Sequence, residues 1–175
     1  MKKEIWNESN ISDQTDKAFI VTGPTSGLGK ETSIVLARKH ATVIMAARDL
    51  KKAESVKKEI LNENENAKID IQELDLCSLE SINSFAETIN KKYKALDVLI
   101  NNAGIMACPY SKTKDGFEIQ IGTNHLGHYA LTGLLLPLIK KTPNSRIVNV
   151  SSISHKSGNI DFDDLNWEKR KYKTW

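Results

Sequence analysis

Short apolar runs alternate along this chain with longer segments in which apolar residues recur at helical spacing. The short runs are typical of strands buried in a sheet, and the helical spacing indicates helices with one buried face. Strands are predicted at Ala18–Val21, Thr42–Ala46, Lys68–Leu74, Asp97–Ile100 and Arg146–Val150. Helices are predicted at Leu28–Lys39, at Asp49–Asn62, after a capping Ser78, and over most of Phe117–Lys140.

This alternation of strands and helices indicates an α/β fold with a parallel sheet that helices cover on both faces. The helix after Ser78 shows the clearest apolar stripe, formed by Leu79, Ile82, Ala86, Ile89 and Tyr93. From Ser151 onward no periodicity persists, so that stretch is predicted to be loop. We expect the 175 residues to form a single domain, because no linker, repeat or low-complexity segment interrupts them.

Composition and charge argue against several classes of protein. The net charge is only +3, with basic residues spread along the chain, which disfavours a dedicated nucleic-acid-binding protein. Cys77 and Cys108 have no metal-binding spacing and are too few for a disulfide framework, so reduced thiols and a cytoplasmic location are expected. The first residues lack the apolar run of a signal peptide, and the longest apolar run, Leu134–Ile139, is too short to span a membrane.

A glycine-rich segment, TGPTSGLG at Thr22–Gly29, lies between the first predicted strand and the first predicted helix. Gly23 allows a tight turn, and Gly27 and Gly29 lack a Cβ, which lets the backbone approach a pyrophosphate at the helix N-terminus. The spacing G-x-x-x-G-x-G differs from the commonest dinucleotide fingerprint, and a plain turn is the alternative interpretation. The strand–turn–helix context favours nucleotide binding.

The end of the second predicted strand, MAARD, bears on which nicotinamide dinucleotide is bound. A carboxylate at this distance beyond the glycine loop would bond a ribose 2′-hydroxyl and favour NAD. Ala47 occupies that position and Arg48 follows it, and a guanidinium suits a 2′-phosphate. NADP(H) is therefore predicted in preference to NAD(H). The alternative is an arginine that simply faces solvent at a strand end.

The ordered motifs TGPTSGLG, NNAG at Asn101–Gly104, NHLGHY and RIVNVSS resemble those of the short-chain dehydrogenase/reductase superfamily. The segments AARDL, NNAGIM and IDFDDLNWEKRKYKTW are similar to its retinol-dehydrogenase-like branch. The resemblance covers nearly the whole chain from Ala18 and implies a Rossmann-type, doubly wound parallel sheet. It implies an oxidoreductase that transfers a hydride between NADP(H) and a carbonyl or alcohol carbon of a small-molecule substrate. Retinoid, steroid or xenobiotic-type compounds are the substrates that this branch suggests.

The resemblance also implies roles for individual residues. Asn124 would be the helix asparagine of the catalytic tetrad, which holds a water in a proton relay, and Ser152 would bind the substrate oxygen. Asp75 would bond the adenine and Arg48 the 2′-phosphate. The implied cofactor-binding residues are Gly23, Thr25, Ser26, Gly27, Leu28, Gly29, Arg48, Asp75, Leu76, Asn102, Ala103 and Gly104.

Plain structural interpretations stand beside these roles. Asn124 could be an ordinary polar helix residue, and the pair Ser151 and Ser152 could simply start a loop. His125 and His128 stand one helical turn apart, but no third metal ligand is in view, so packing or a place near the next subunit is preferred to a metal site.

The proton donor of this family is a tyrosine followed four residues later by a lysine, which lowers the pKa of the phenol. No such pair follows Ser152, because Tyr172 is the only tyrosine there and its fourth neighbour would lie beyond Trp175. In the retinol-dehydrogenase-like branch, a segment similar to KYKTW precedes the catalytic tyrosine, so Tyr172 is not expected to be catalytic.

We therefore expect a fragment of a longer, homo-oligomeric enzyme, with little turnover by itself and with the Arg146–Val150 strand left open at one edge. Two alternatives are a non-catalytic nucleotide-binding protein that lost the tyrosine and a misfolded remnant. The presence of Asn124 and Ser152 favours the oxidoreductase.

Overall fold

A five-stranded parallel sheet forms the centre of the molecule in the computed structural model, which describes residues 6–174. The prediction that the first residues are not a signal peptide concerns in part residues 1–5, which lie outside the described residues. The strand order is β3-β2-β1-β4-β5, so the chain winds outward from β1 in both directions. The strands are β1 (Ala18–Thr22), β2 (Thr42–Ala47), β3 (Lys68–Glu73), β4 (Val98–Asn101) and β5 (Arg146–Asn149). The predicted α/β fold with a doubly wound parallel sheet is confirmed.

Helices connect successive strands and cover both faces of the sheet. The connecting elements are α1 (Gly27–Arg38), α2 (Leu50–Glu63), α3 (Leu79–Lys92), the short α4 (Ile119–Ile121), a π-helical turn (Gly122–Gly127) and α5 (His128–Lys141). Two 3-10 turns, Glu8–Asn10 and Ile153–Lys156, complete the elements of the described residues. The second turn lies in the stretch that was predicted to be only loop.

Side-chain caps fix where two of the helices begin. The Ser78 hydroxyl accepts a hydrogen bond from the N–H of Ser81 at 3.3 Å, as the sequence predicted for the start of α3. Asp49, predicted as the first residue of its helix, is instead the N-cap, and its carboxylate accepts from the N–H of Lys52 at 3.0 Å.

The core has two layers, one on each face of the sheet. On one face α1 and α2 pack against alternate side chains of β1 and β2, and on the other α3 and α5 pack against the remaining ones. The predicted stripe on α3 is corrected at its start, because Leu79 is exposed while Phe85 is buried. Leu79 is the first residue of α3, at the end of the stripe.

The strands differ in how deeply they are buried. β1 is buried along its whole length, as the prediction of strands buried on both sides requires. β3 and β5 are the edges of the sheet; β3 is partly exposed and every residue of β5 is exposed. Apolar Ile147 and Val148 lie on β5, and the strand has one hydrogen-bonded neighbour, β4, within the described residues.

Candidate cofactor site and active site

A cleft of about 790 Å³ opens at the carboxyl ends of the strands. In doubly wound sheets this end carries the ligand, at the point where the strand order reverses. The predicted cofactor-binding residues that line the cleft are Gly23, Thr25, Ser26, Leu28, Gly29, Arg48, Asp75, Leu76, Asn102, Ala103 and Gly104. Gly27 is the one residue of the predicted set that does not line it.

Each glycine of the loop meets a different requirement. Gly23 has φ +65°, and a Cβ there would lie 3.0 Å from Cα of Ala103. Gly27 opens α1 with φ +52° and has open space around it, so its backbone conformation is what requires glycine. A Cβ on Gly29 would lie 2.3 Å from the carbonyl oxygen of Gly23, so this residue lets α1 pack closely on the loop rather than approach a pyrophosphate.

The first turn of α1 is open to a ligand. Its N-cap residue, Ser26, makes no side-chain cap hydrogen bond, so the N–H groups of this turn have no side-chain acceptor there. Together with the positive end of the helix dipole, these N–H groups can receive phosphate oxygens.

The end of β1 is joined to the segment that follows β4. The Thr22 hydroxyl oxygen accepts hydrogen bonds from the N–H groups of Asn102 and Ala103, both at 2.9 Å. The Asn102 side chain donates to the carbonyl oxygen of Thr22 at 2.9 Å. These hydrogen bonds fix the floor of the cleft. The side-chain amide of Asn102 therefore stabilises the loop after β1.

The end of β2 presents cations to the cleft. Arg48 is exposed at its mouth, and Lys51 and Lys52 also line it. The neighbouring carboxylate, Asp49, is occupied by its cap, and the backbone N–H of Lys52 is the main cause of a lowered Asp49 pKa. Asp75, beyond β3, accepts from the N–H of Cys77 at 3.0 Å.

Asn124 lies in the π-helical turn, next to the segment after β4. Its side chain accepts from the N–H of Ile105 at 2.9 Å and donates to the Ile105 carbonyl at 2.8 Å. π-helical turns occur frequently at functional sites. The two neighbouring glycines allow close packing, since a Cβ on Gly127 would lie 2.6 Å from the Leu76 carbonyl oxygen and one on Gly122 would lie 2.4 Å from a Thr113 methyl.

His128 is buried directly after this turn. Its Nδ1 lies 2.9 Å from the carbonyl oxygen of Asn124 and its Nε2 lies 2.9 Å from the Thr22 hydroxyl. Burial lowers its pKa, against the opposing effect of the Asn124 carbonyl, and nearby His125 lowers it further. His125 is exposed, with its ring 6.5 Å from that of Tyr129. The sequence analysis preferred packing, or a place near the next subunit, for this histidine pair. Of the two, His128 is packed, and its contact with Thr22 was not predicted.

A second cavity of about 350 Å³ lies behind the π-helical turn, between α5 and β5. Asn101 donates from Nδ2 to Thr132 and to Asn149, at 3.0 and 2.8 Å. Its Oδ1 is buried and has no hydrogen-bond partner within the described residues. Asn124 and Ser151 also line this cavity.

Ser152 lies apart from both cavities. Its hydroxyl oxygen accepts from the N–H of Ser154 at 3.2 Å and caps the following 3-10 turn. The side chain is exposed, and Ser151 rather than Ser152 lines the cavity next to Asn124. The predicted substrate-binding role of Ser152 stays a prediction.

Tyr172 is a packing residue in this structure. Its hydroxyl accepts from Gln120 Nε2 at 2.6 Å and donates to Glu118 at 3.0 Å, and its ring lies against Tyr110 and Trp167. Burial is the main cause of a raised Tyr172 pKa, to which Glu118 adds, while the bond from Gln120 opposes it. A general base needs the opposite shift. The expectation that Tyr172 is not catalytic stays a prediction.

Between residues 6 and 174, no cluster of three or more His, Cys, Asp or Glu side chains is arranged to hold a metal ion. None of the helices in this part of the chain combines the length and apolar character needed to cross a membrane.

Curated proteins similar to this chain in sequence include two human retinol dehydrogenases. Retinol dehydrogenase 13 from Homo sapiens is 51% identical over 158 residues, which are 90% of this chain and 48% of that protein. Retinol dehydrogenase 11 from Homo sapiens is 51% identical over 153 residues, 87% of this chain and 48% of that protein. The chain thus spans about half the length of the curated relatives it matches.

Two crystal structures show the same architecture. An uncharacterized protein from Mycobacterium Paratuberculosis is 45% identical with a TM-score of 0.85, over 97% of this chain and 59% of the other. A short chain dehydrogenase from Escherichia coli CFT073, complexed with NADPH, is 29% identical with a TM-score of 0.73, over 90% of this chain and 65% of the other.

The family model for the short chain dehydrogenases matches residues 17–163, from the start of β1 past the serine pair that follows β5. This match includes the glycine loop, the NNAG segment and the π-helical turn around which the cleft is built. The chain therefore belongs to the short-chain dehydrogenase family and is similar to its retinol dehydrogenases.

Proposed function

We propose that this chain binds NADP(H) in preference to NAD(H) and serves an oxidoreductase that acts on a carbonyl or alcohol carbon. The proposal extends family membership to a particular cofactor and reaction. Its support comes from the residues around the end of β2 and from the glycine loop.

The observation that supports the cofactor preference is the difference between two neighbours: Asp49 caps a helix, whereas Arg48 faces the cleft without a carboxylate partner among residues 6–174. The Asp49 carboxylate caps α2, which occupies one of its two oxygens. Arg48 is exposed beside the cleft and has no carboxylate within ion-pair distance among residues 6–174. A free guanidinium in this position suits the 2′-phosphate that distinguishes NADP from NAD.

The shape of the cleft fits a dinucleotide. Its volume of about 790 Å³ lies in the range of small-molecule sites, and it runs from Arg48 past the open turn of α1 to Gly104. In the proposed complex the N–H groups of α1 would bind the phosphates, and the backbone of Asn102 to Gly104 would hold the ribose next to the nicotinamide.

The chemistry follows from what each partner contributes. Bound NADP(H) would supply or accept the hydride. Asn124, held against Ile105, would fix one side of the reacting centre, and Ser152 would bind the substrate oxygen. The names of the relatives suggest retinol-like alcohols and aldehydes as the substrate class.

The test is a titration of the full chain with NADPH and with NADH, followed by nicotinamide fluorescence. We expect NADPH to bind at least about tenfold more tightly, as one charge-assisted contact provides. Equal affinities would contradict the preference, and no binding of either cofactor by folded chain would contradict the cofactor role. NADPH oxidation with retinaldehyde would show that the chain is an active enzyme by itself, whereas cofactor binding without oxidation is expected both of an enzyme fragment and of a non-catalytic nucleotide-binding protein.

A further inference from the structure

His128 closes a ring of hydrogen bonds around the segment that follows β4. From Thr22 the ring passes to the N–H groups of Asn102 and Ala103, and the chain then continues to Ile105. Ile105 is bonded twice to the Asn124 side chain, and the backbone carbonyl of Asn124 meets the imidazole. The second imidazole nitrogen returns to Thr22.

The chemistry of these contacts fixes the tautomer of the imidazole. A carbonyl oxygen can only accept, so Nδ1 of His128 carries the hydrogen and donates to Asn124. Nε2 of the neutral ring then holds a lone pair and accepts from the Thr22 hydroxyl at 2.9 Å. The backbone N–H groups of Asn102 and Ala103 already donate to the Thr22 oxygen. The hydroxyl hydrogen of Thr22 therefore points elsewhere and is available to donate to the imidazole.

The alternatives for both groups are weaker. The Thr22 hydroxyl could otherwise donate to the carbonyl of Ile100, at the longer distance of 3.4 Å. His128 is only 6% exposed, and burial favours the neutral form of its imidazole, which is the form that the ring of bonds requires.

We propose that His128 is a positioning residue that couples the floor of the cofactor cleft to the π-helical turn, so that cofactor binding and the placement of Asn124 depend on each other. The inference rests on the proposed function, since it assumes that the cleft holds NADP(H). Physically, the turn has irregular helical hydrogen bonding, and the imidazole connects it across 106 residues to the end of β1.

Two substitutions test the two hydrogen bonds of His128 separately. His128→Asn keeps an amide near Nδ1 and can still donate to the Asn124 carbonyl, but it loses Thr22. His128→Gln reaches toward Thr22 but loses the Asn124 carbonyl. His125→Asn is the matched control, because His125 belongs to the same turn and is exposed.

The first experiment is nitrogen NMR of the imidazoles in the full chain at neutral pH. The expected signature for His128 is a protonated Nδ1 and an unprotonated Nε2. A protonated Nε2, or a doubly protonated ring, would overturn the proposal without reference to any variant.

The second experiment follows the Ile105 N–H and Asn124 side-chain resonances during NADPH titration. In the wild type and in His125→Asn, both sets of resonances shift with the cofactor. In His128→Asn, the Asn124 shifts are lost or greatly reduced and NADPH affinity falls about fivefold to tenfold. Unchanged shifts and affinity in both folded His128 variants would overturn the coupling. If the wild type itself fails to bind NADPH, the proposed function fails, while the tautomer measurement still decides the ring of bonds.

Discussion

The side chain of Asn124 and the backbone of Ile105 form a two-way hydrogen-bonded pair, with N–H donating at 2.9 Å and C=O accepting at 2.8 Å. The amide acts toward Ile105 as a neighbouring strand would, and it holds the chain beyond β4 where the sheet itself has ended. Asn124 thus has a structural task in addition to the water-holding role that the family resemblance implies.

Replacing Asn124 by Asp should release one side of this pair. The carboxylate can still accept from the Ile105 N–H, but it sets an oxygen against the Ile105 carbonyl where Nδ2 now donates. We expect a stability loss of about 1–2 kcal/mol and faster amide exchange at Ile105. Asn83→Asp is the control, because Asn83 is exposed and bonds only within α3. An Asn124 variant as stable as this control would show that the pair contributes little.

Arg48→Gln should weaken NADPH binding without affecting NADH. Removing a charge-assisted contact to the 2′-phosphate should raise the dissociation constant for NADPH about tenfold to a hundredfold. Lys58→Gln removes the same charge from an exposed position of α2 that does not line the cleft, and it should change neither affinity. Equal losses for both cofactors would assign Arg48 a general electrostatic role.

Gly29→Ala should disrupt the glycine loop. The new methyl would lie 2.3 Å from the Gly23 carbonyl oxygen and 2.4 Å from the Asn102 amide nitrogen, and the first of these is backbone that cannot rotate away. We expect a stability loss of about 1–3 kcal/mol and the loss of NADPH binding. Gly133→Ala, in α5 with open space around it, should instead stabilise the protein by about 0.5–1 kcal/mol. A neutral Gly29 variant would mean that α1 can shift freely.

Acidification should destabilise the wild type through His128. Its pKa is lowered in the folded state, so the unfolded chain binds the proton more readily and stability rises with pH. The contribution is fully present above the usual value of 6.5 and is lost as the pH falls through the lower folded pKa. Urea unfolding between pH 7.5 and 5 should show a shallower decline for His128→Gln than for the wild type. Parallel declines would show that His128 does not titrate in this way.

Local patterns were enough to predict the sheet and most of its helices. Apolar runs identify β1 and β2 because both are buried on two sides, and the glycine spacing locates the loop because each glycine meets a constraint from its own turn or its immediate packing. The cofactor cleft could be predicted from the same information, since it forms where these neighbouring strands end.

The remaining features depend on contacts between distant parts of the chain. The bond between Thr22 and His128 joins residues 106 positions apart, and the packing of Tyr172 on Gln120 and Glu118 follows from how the last segment folds back. The exposed Leu79 satisfies the helical period but misses the core, because periodicity identifies a face and not the length over which it is covered. The π-helical turn has no simple apolar signature, although its glycines and a histidine four residues after Asn124 mark the position in retrospect.

The central position of β1 also has a consequence for the order of folding. β1, β2 and β3 can assemble with α1 and α2 from one continuous stretch of chain, because each strand pairs with the next through a single helix. β4 must instead return to β1 from far along the chain, as the bond between the Ala18 N–H and Asp97 illustrates over 79 residues. Since closing so long a loop is slow, we expect the first three strands to form an early nucleus and the second half of the sheet to dock afterwards. The junction between Thr22 and Asn102, and with it the floor of the cleft, would then be among the last parts to form.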